Sequence, residues 1–161
     1  MEKATKTTAI LISVIVSYLS LTHMIISTDF GIYRGCNLSC RLLYPFFHVN
    51  LLHAALNAWC LLSVVFIYNT SFWKLLFSYI VAVTIPPVCL SNIPTIGLSG
   101  VVFALFGSIS FEVQRKAYYQ LWMLAYLVTG FFFPNTNALV HLYCYLAGGA
   151  VAVLNKPVNI G

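Results

Sequence analysis

Five side chains in this sequence have the types and spacing of an acyl-transfer site: His48, His53, Asn57, Ser99 and His141. His53 and Asn57 are four residues apart, which on a helix puts both on one face, and His48 stands just upstream. Ser99 lies between glycines in Gly97-Leu98-Ser99-Gly100, where the backbone can turn tightly and leave the hydroxyl open to a carbonyl. His141 falls early in a later apolar run. A serine beside a histidine base, with N–H donors at the same level, is the equipment of nucleophilic attack on an acyl carbon. Each residue also has an ordinary role in a membrane helix. A serine bonds the preceding turn, a histidine or asparagine holds helices together, and small residues recur as packing motifs.

The acidic residues limit the mechanism. Glu2, Asp29 and Glu112 are the complete set, and Glu112 is 13 residues beyond Ser99, about 20 Å along a helix. No carboxylate is placed to orient His141, so a Ser-His-Asp triad is not expected, and an aspartyl dyad is excluded. A serine–histidine dyad remains. No cofactor is implied, and the outer loop has too few ligands for a metal.

Composition sets the solvent. At 61% hydrophobic and 7% charged residues, the chain has too little polar surface for a water-soluble globule, and the lipid bilayer is its expected surroundings. Apolar runs at 9–26, 51–68, 72–90, 98–111, 118–133 and 138–154 predict six transmembrane helices in one all-α domain, 1–161. The fourth holds about 14 residues, or ~21 Å, so the stretch 91–97 is expected to descend into a protein-lined cavity before that helix begins. Lys3 and Lys6 ahead of the first run resemble a signal peptide, yet the run is long and lacks a clear small-residue cleavage site, so it is read as a retained helix.

Lysine and arginine set the orientation. With the N-terminus cytoplasmic, Lys3, Lys6, Lys74, Arg115, Lys116 and Lys156 lie inside and only Arg34 and Arg41 outside. Both termini are then cytoplasmic and the site opens to the extracytoplasmic side, as in a cell inner membrane protein. The formal charge of +5 is a topology signal, and no nucleic-acid partner is expected. The second, fourth and sixth helices all start at the outer face, so His53, Asn57, Ser99 and His141 share one depth. His23 is a further polar residue near the end of the first span. Cys36 and Cys40 fall in the outer loop, where spacing leaves open whether they pair; Cys60, Cys89 and Cys144 read as small apolar side chains.

The sequence resembles the rhomboid intramembrane serine proteases over almost the whole six-helix core. The resemblance is carried by His48-x4-His53-x3-Asn57 within HVNLLHAALN, by GLSGVVFALFG around Ser99, and by a histidine early in the last helix. It implies that Ser99 is the nucleophile and His141 its base, and that His53, Asn57 and the Ser99 amide form the oxyanion hole. Phe103 corresponds to an aromatic that packs on the catalytic histidine, and Gly97, Gly100 and His48 support the site. Substrates would be transmembrane proteins cut in or near their membrane helices, with the fifth helix, ending in Phe131-Phe132-Phe133-Pro134, as the moving gate. The chain departs from the family's pattern at Cys40, beside Arg41, where a tryptophan is usual. It departs again at Val140 and Cys144, whose bulk is expected to push the fourth and sixth helices apart. The rival reading is a non-catalytic rhomboid-like protein that binds client helices; a small transporter fits less well because no acidic relay or duplicated half is visible.

Orientation is open to direct measurement. Cysteines substituted at Arg34 and Arg41 should react with impermeant reagents from outside, and those at Arg115 and Lys116 only from inside; the reverse pattern would move the site to the cytoplasmic face.

Overall fold

The computed structural model describes residues 2–22, 30–133 and 136–154. All of its regular elements are helical: α1 (Glu2–Thr22), α2 (Leu38–Leu43), α3 (Leu51–Ile67), α4 (Phe72–Val83), α5 (Ser99–Ile109), α6 (Lys116–Gly130) and α7 (Ala138–Leu154), with short 3-10 turns at Tyr44–Phe46 and Pro87–Cys89. Apart from α2, these helices fall on the six apolar runs. The predicted residues His23, Asp29, Pro134 and Lys156 lie outside the described residues.

Local chemistry explains most of the boundaries. Asn50 caps α3 by accepting from the His53 amide, and Ser71 caps α4 by accepting from the Lys74 amide. Asn69, with φ +46°, makes the turn between them, a backbone conformation asparagine tolerates. The third apolar run reaches Leu90, but α4 ends at Val83 because Pro86 and Pro87 remove two donors and a helical path. The outer-loop helix α2, which apolar periodicity does not signal, is capped by the Asn37 side chain bonding the Cys40 amide at 2.9 Å.

Two small-residue seams hold the bundle together. On α1 the buried positions are Thr5, Ala9, Ser13, Val16 and Ser20, a stripe that lets α3 lie close. The serines spend their hydroxyls within the helix, Ser13 on the Ala9 carbonyl and Ser20 on the Val16 carbonyl. The α5–α7 pair is the most extensive helix contact. A Cβ on Gly107 would overlap the Tyr145 carbonyl, and one on Gly148 would overlap the Ala104 carbonyl. Only glycine lets these two backbones meet.

The other faces point outward and are apolar. Leu11 and Val14 on α1, Leu56 and Trp59 on α3, Phe77 on α4, Trp122 and Tyr126 on α6 and Leu146 on α7 are all exposed. By length and composition, among the described residues, one helix (Glu2–Thr22) suffices to cross a membrane, or two if the bent pair Leu38–Phe46 and Leu51–Ile67 counts as one span. Phe72–Val83, Ser99–Ile109 and Ala138–Val153 are shorter apolar helices.

Gly107→Val and Gly148→Val should each destabilise the bundle by about 1–3 kcal/mol or more through overpacking, read as a lower thermal midpoint in detergent. An unchanged midpoint would mean that α5 and α7 do not meet at these glycines.

Candidate active site

The first turns of α3, α5 and α7 converge at one end of the bundle. Glu112, beyond the far end of α5, is ion-paired with Lys74, and Glu2 with Lys6 at 2.6 Å. Neither carboxylate is therefore available to the site.

Ser99 is the first residue of α5. Helix geometry leaves the amides of Leu98, Ser99, Gly100 and Val101 without an intrahelical acceptor, since the first closed bond runs from the Val102 amide to the Leu98 carbonyl. Two of the amides around Ser99 are spoken for. Gly97 N–H donates to the Tyr44 carbonyl at 3.0 Å, and Leu98 N–H donates to His48 Nε2 at 3.1 Å. The Ser99, Gly100 and Val101 amides remain at the positive end of the helix dipole, where a developing negative charge is stabilised.

His141 Nε2 lies 2.8 Å from Ser99 Oγ. With the serine hydroxyl donating, Nε2 is the acceptor and Nδ1 carries the ring proton, a tautomer assigned from these roles. Phe103, one turn after Ser99, stacks on the imidazole at 4.4 Å between centroids and 16° between planes. The aromatic face, rather than a carboxylate, fixes the ring.

The expected separation of α5 and α7 by Val140 and Cys144 does not occur. Both residues are buried, and the space comes from the facing helix. A Cβ on Gly100 would come within 2.7 Å of the Tyr44 hydroxyl and 3.5 Å of Cys144 Sγ. The sulfur thus sits at ordinary van der Waals distance from that position, while the Tyr44 hydroxyl is what requires glycine there, and Ser99 and His141 remain in hydrogen-bond contact.

His48, His53 and Gly97 form the opposite wall. The two imidazoles meet edge to face at 5.0 Å. Gly97 has φ +130°, and a Cβ there would sit 3.0 Å from His53 Cε1, so glycine is required on both backbone and steric grounds. His48 lies ahead of α3, outside the helices. Burial lowers its pKa to about 4, so it is neutral at pH 7 and able to accept from Leu98. Its Nδ1 is buried without a hydrogen bond of regular geometry. Asn57 is buried on the same face of α3 as His53, and its Nδ2 donates to the His53 carbonyl at 3.0 Å. One of its two N–H groups is engaged within the helix, which leaves the second for a ligand.

Tyr44 and Arg41 have structural parts that residue type alone did not single out. The Tyr44 hydroxyl donates to the Ala82 carbonyl at 3.0 Å while its own carbonyl takes the Gly97 amide. Arg41 Nη1 donates to the Ile85 carbonyl at 2.8 Å, satisfying backbone that the proline-terminated end of α4 leaves open. The signal available in sequence was the bulky Tyr44-Pro45-Phe46 run so close to His48. The descending segment 91–97 is exposed at Ser91–Ile93 and buried only from Ile96 onward. Cys36 and Cys40 are not bonded to each other. No group of side chains suited to a metal ion occurs among the described residues.

No family model, no curated protein and no solved structure matches this chain. The functional reading therefore rests on the chemistry of these side chains.

Gly97→Ala should destabilise the protein by about 1–3 kcal/mol, the scale of a strained backbone residue, and displace the His53 ring. A thermal midpoint equal to the wild type would show that the segment before Ser99 takes another path.

Proposed function

We propose that this chain is a rhomboid-type intramembrane serine endopeptidase that hydrolyses a peptide bond in or near a transmembrane segment of another protein. The observation that carries the reading is the 2.8 Å hydrogen bond between His141 Nε2 and Ser99 Oγ at a helix N-terminus. A serine that merely satisfied its hydroxyl would use the preceding turn, as Ser13 and Ser20 do. Ser99, as the first residue of its helix, has no such turn, and its partner is a general base 42 residues away.

The reaction proceeds in two halves. Ser99 Oγ bonds to the substrate carbonyl carbon as His141 Nε2 takes the hydroxyl proton, and the resulting oxyanion is held by the Ser99 amide, His53 and Asn57. Collapse breaks the C–N bond, and His141 returns the proton to the leaving amine. A water molecule then attacks the acyl-enzyme, giving its proton to His141, and the acid departs as Ser99 recovers its hydrogen.

The six-helix transmembrane arrangement belongs to the same proposal. Its supports are the 61% hydrophobic composition and the outward apolar side chains of α1, α3, α4, α6 and α7. The basic residues Lys6, Lys74, Arg115 and Lys116 at the end away from the dyad agree with a cytoplasmic position for that end. The proposed gate α6 has only slight packing against α7, with Phe131, Phe132 and Phe133 exposed beyond it.

Ser99→Ala should abolish cleavage of a membrane-protein substrate while the protein stays folded, and a fluorophosphonate should label the wild type at Ser99. Labelling elsewhere, or full turnover by the variant, would sink the assignment; a wild type that binds helices but neither cuts nor labels would favour the client-binding rival. Asn57→Ala should lose on the order of 10²–10³ in turnover, about 2.7–4 kcal/mol, and still be labelled. His141→Ala should lose both, since the unassisted hydroxyl is a poor nucleophile at neutral pH.

A further inference from the structure

The chain reaches His141 through Asn137, whose three polar groups are all engaged. Its Oδ1 accepts from the Val140 amide at 3.4 Å, capping α7. Its carbonyl accepts from the His141 amide at 3.3 Å. Its Nδ2 donates to Thr95 Oγ1 at 3.4 Å. Thr95 is itself fixed, because it exchanges two backbone hydrogen bonds with Ile32, at 2.8 and 3.0 Å. Two residues further on, Gly97 is held by the Tyr44 carbonyl, and Ser99 follows. A single side chain thus ties the segment that delivers Ser99 to the first turn of the helix that delivers His141.

The close contact of α5 and α7 at Gly107 and Gly148 does not fix that distance by itself. Gly107 is eight residues beyond Ser99, about 12 Å along the helix. A relative tilt of ~5° about the glycine contact would move the dyad atoms by ~1 Å, a displacement of the size that costs catalysis heavily.

We infer that Asn137 is a positioning residue: its hydrogen bond to Thr95 holds His141 against Ser99. The inference rests on the reading of Ser99 and His141 as nucleophile and base. Asn137 touches no reacting atom and acts through the start of α7.

The test uses three single variants of the full chain and one double. Thr95→Val removes the acceptor and keeps the shape; Thr95→Ser keeps the hydroxyl. Asn137→Ser retains a capping oxygen but is too short to reach Thr95. Turnover of a membrane-protein substrate in detergent, with kcat and KM separated, is measured beside fluorophosphonate labelling and the thermal midpoint. Thr95→Val and Asn137→Ser should each lower kcat and the labelling rate roughly 3- to 10-fold, the scale of one hydrogen bond, with KM and midpoint little changed. The double variant should be no slower than either single, and Thr95→Ser should match the wild type. Wild-type rates in Thr95→Val, equal losses in Thr95→Ser, or additive losses in the double would each overturn the inference while leaving the dyad intact. A wild type that neither cuts nor labels would instead overturn the dyad, and this inference with it.

Discussion

The backbone contact between α5 and α7 is the constraint on which the rest of the structure depends. The Gly107 and Gly148 positions put carbonyl groups where side chains would otherwise stand. In a lipid setting there is little hydrophobic driving force between helices, so dispersion across a close seam has to hold the pair. Everything above the seam inherits its geometry. Gly100 faces Cys144 and Tyr44 because the helices are already near, and Phe103 reaches His141 for the same reason. Only from that starting point do single hydrogen bonds, each worth about 1 kcal/mol, settle the remaining distance between Ser99 and His141.

Among the described residues, the candidate site differs from a Ser-His-Asp arrangement in having no carboxylate beside His141. A carboxylate would have to be held charged in an apolar bundle, at a large desolvation penalty. An aromatic face orients the ring at no such penalty, and the stacking of Phe103 on His141 serves that purpose. The same economy governs the opposite wall, where a neutral His48 accepts a backbone amide and no ion is buried.

Much of this was legible in the sequence, and the reasons differ by element. The long helices begin with their apolar runs where a capping residue such as Asn50 or Ser71 precedes them, and α4 stops short of its run because Pro86 and Pro87 lie inside it. The common depth of His53, Ser99 and His141 followed from their places at the starts of alternate spans. The contacts that join elements far apart in sequence were not legible. The Tyr44 carbonyl meets Gly97 and the Tyr44 hydroxyl meets Ala82, and neither pairing leaves a periodic trace. The effect of Cys144 was misjudged for the same reason: a side chain's bulk has meaning only against what faces it, and Gly100 faces this one. Helix α2 escaped notice because six residues are too few for a pattern.

The order of the helices along the chain bears on biogenesis. Ser99 and His141, the proposed nucleophile and base, are 42 residues apart, and His141 rides on α7, the final described helix to leave the ribosome. Until α7 is made, Ser99 lacks its histidine partner and the seam glycine Gly107 has no facing backbone. On the proposed function, a nascent chain would be chemically silent until α7 docks. On that reading, neighbouring proteins, other copies of this chain included, are spared attack by an unfinished chain through nothing more than the order of its synthesis.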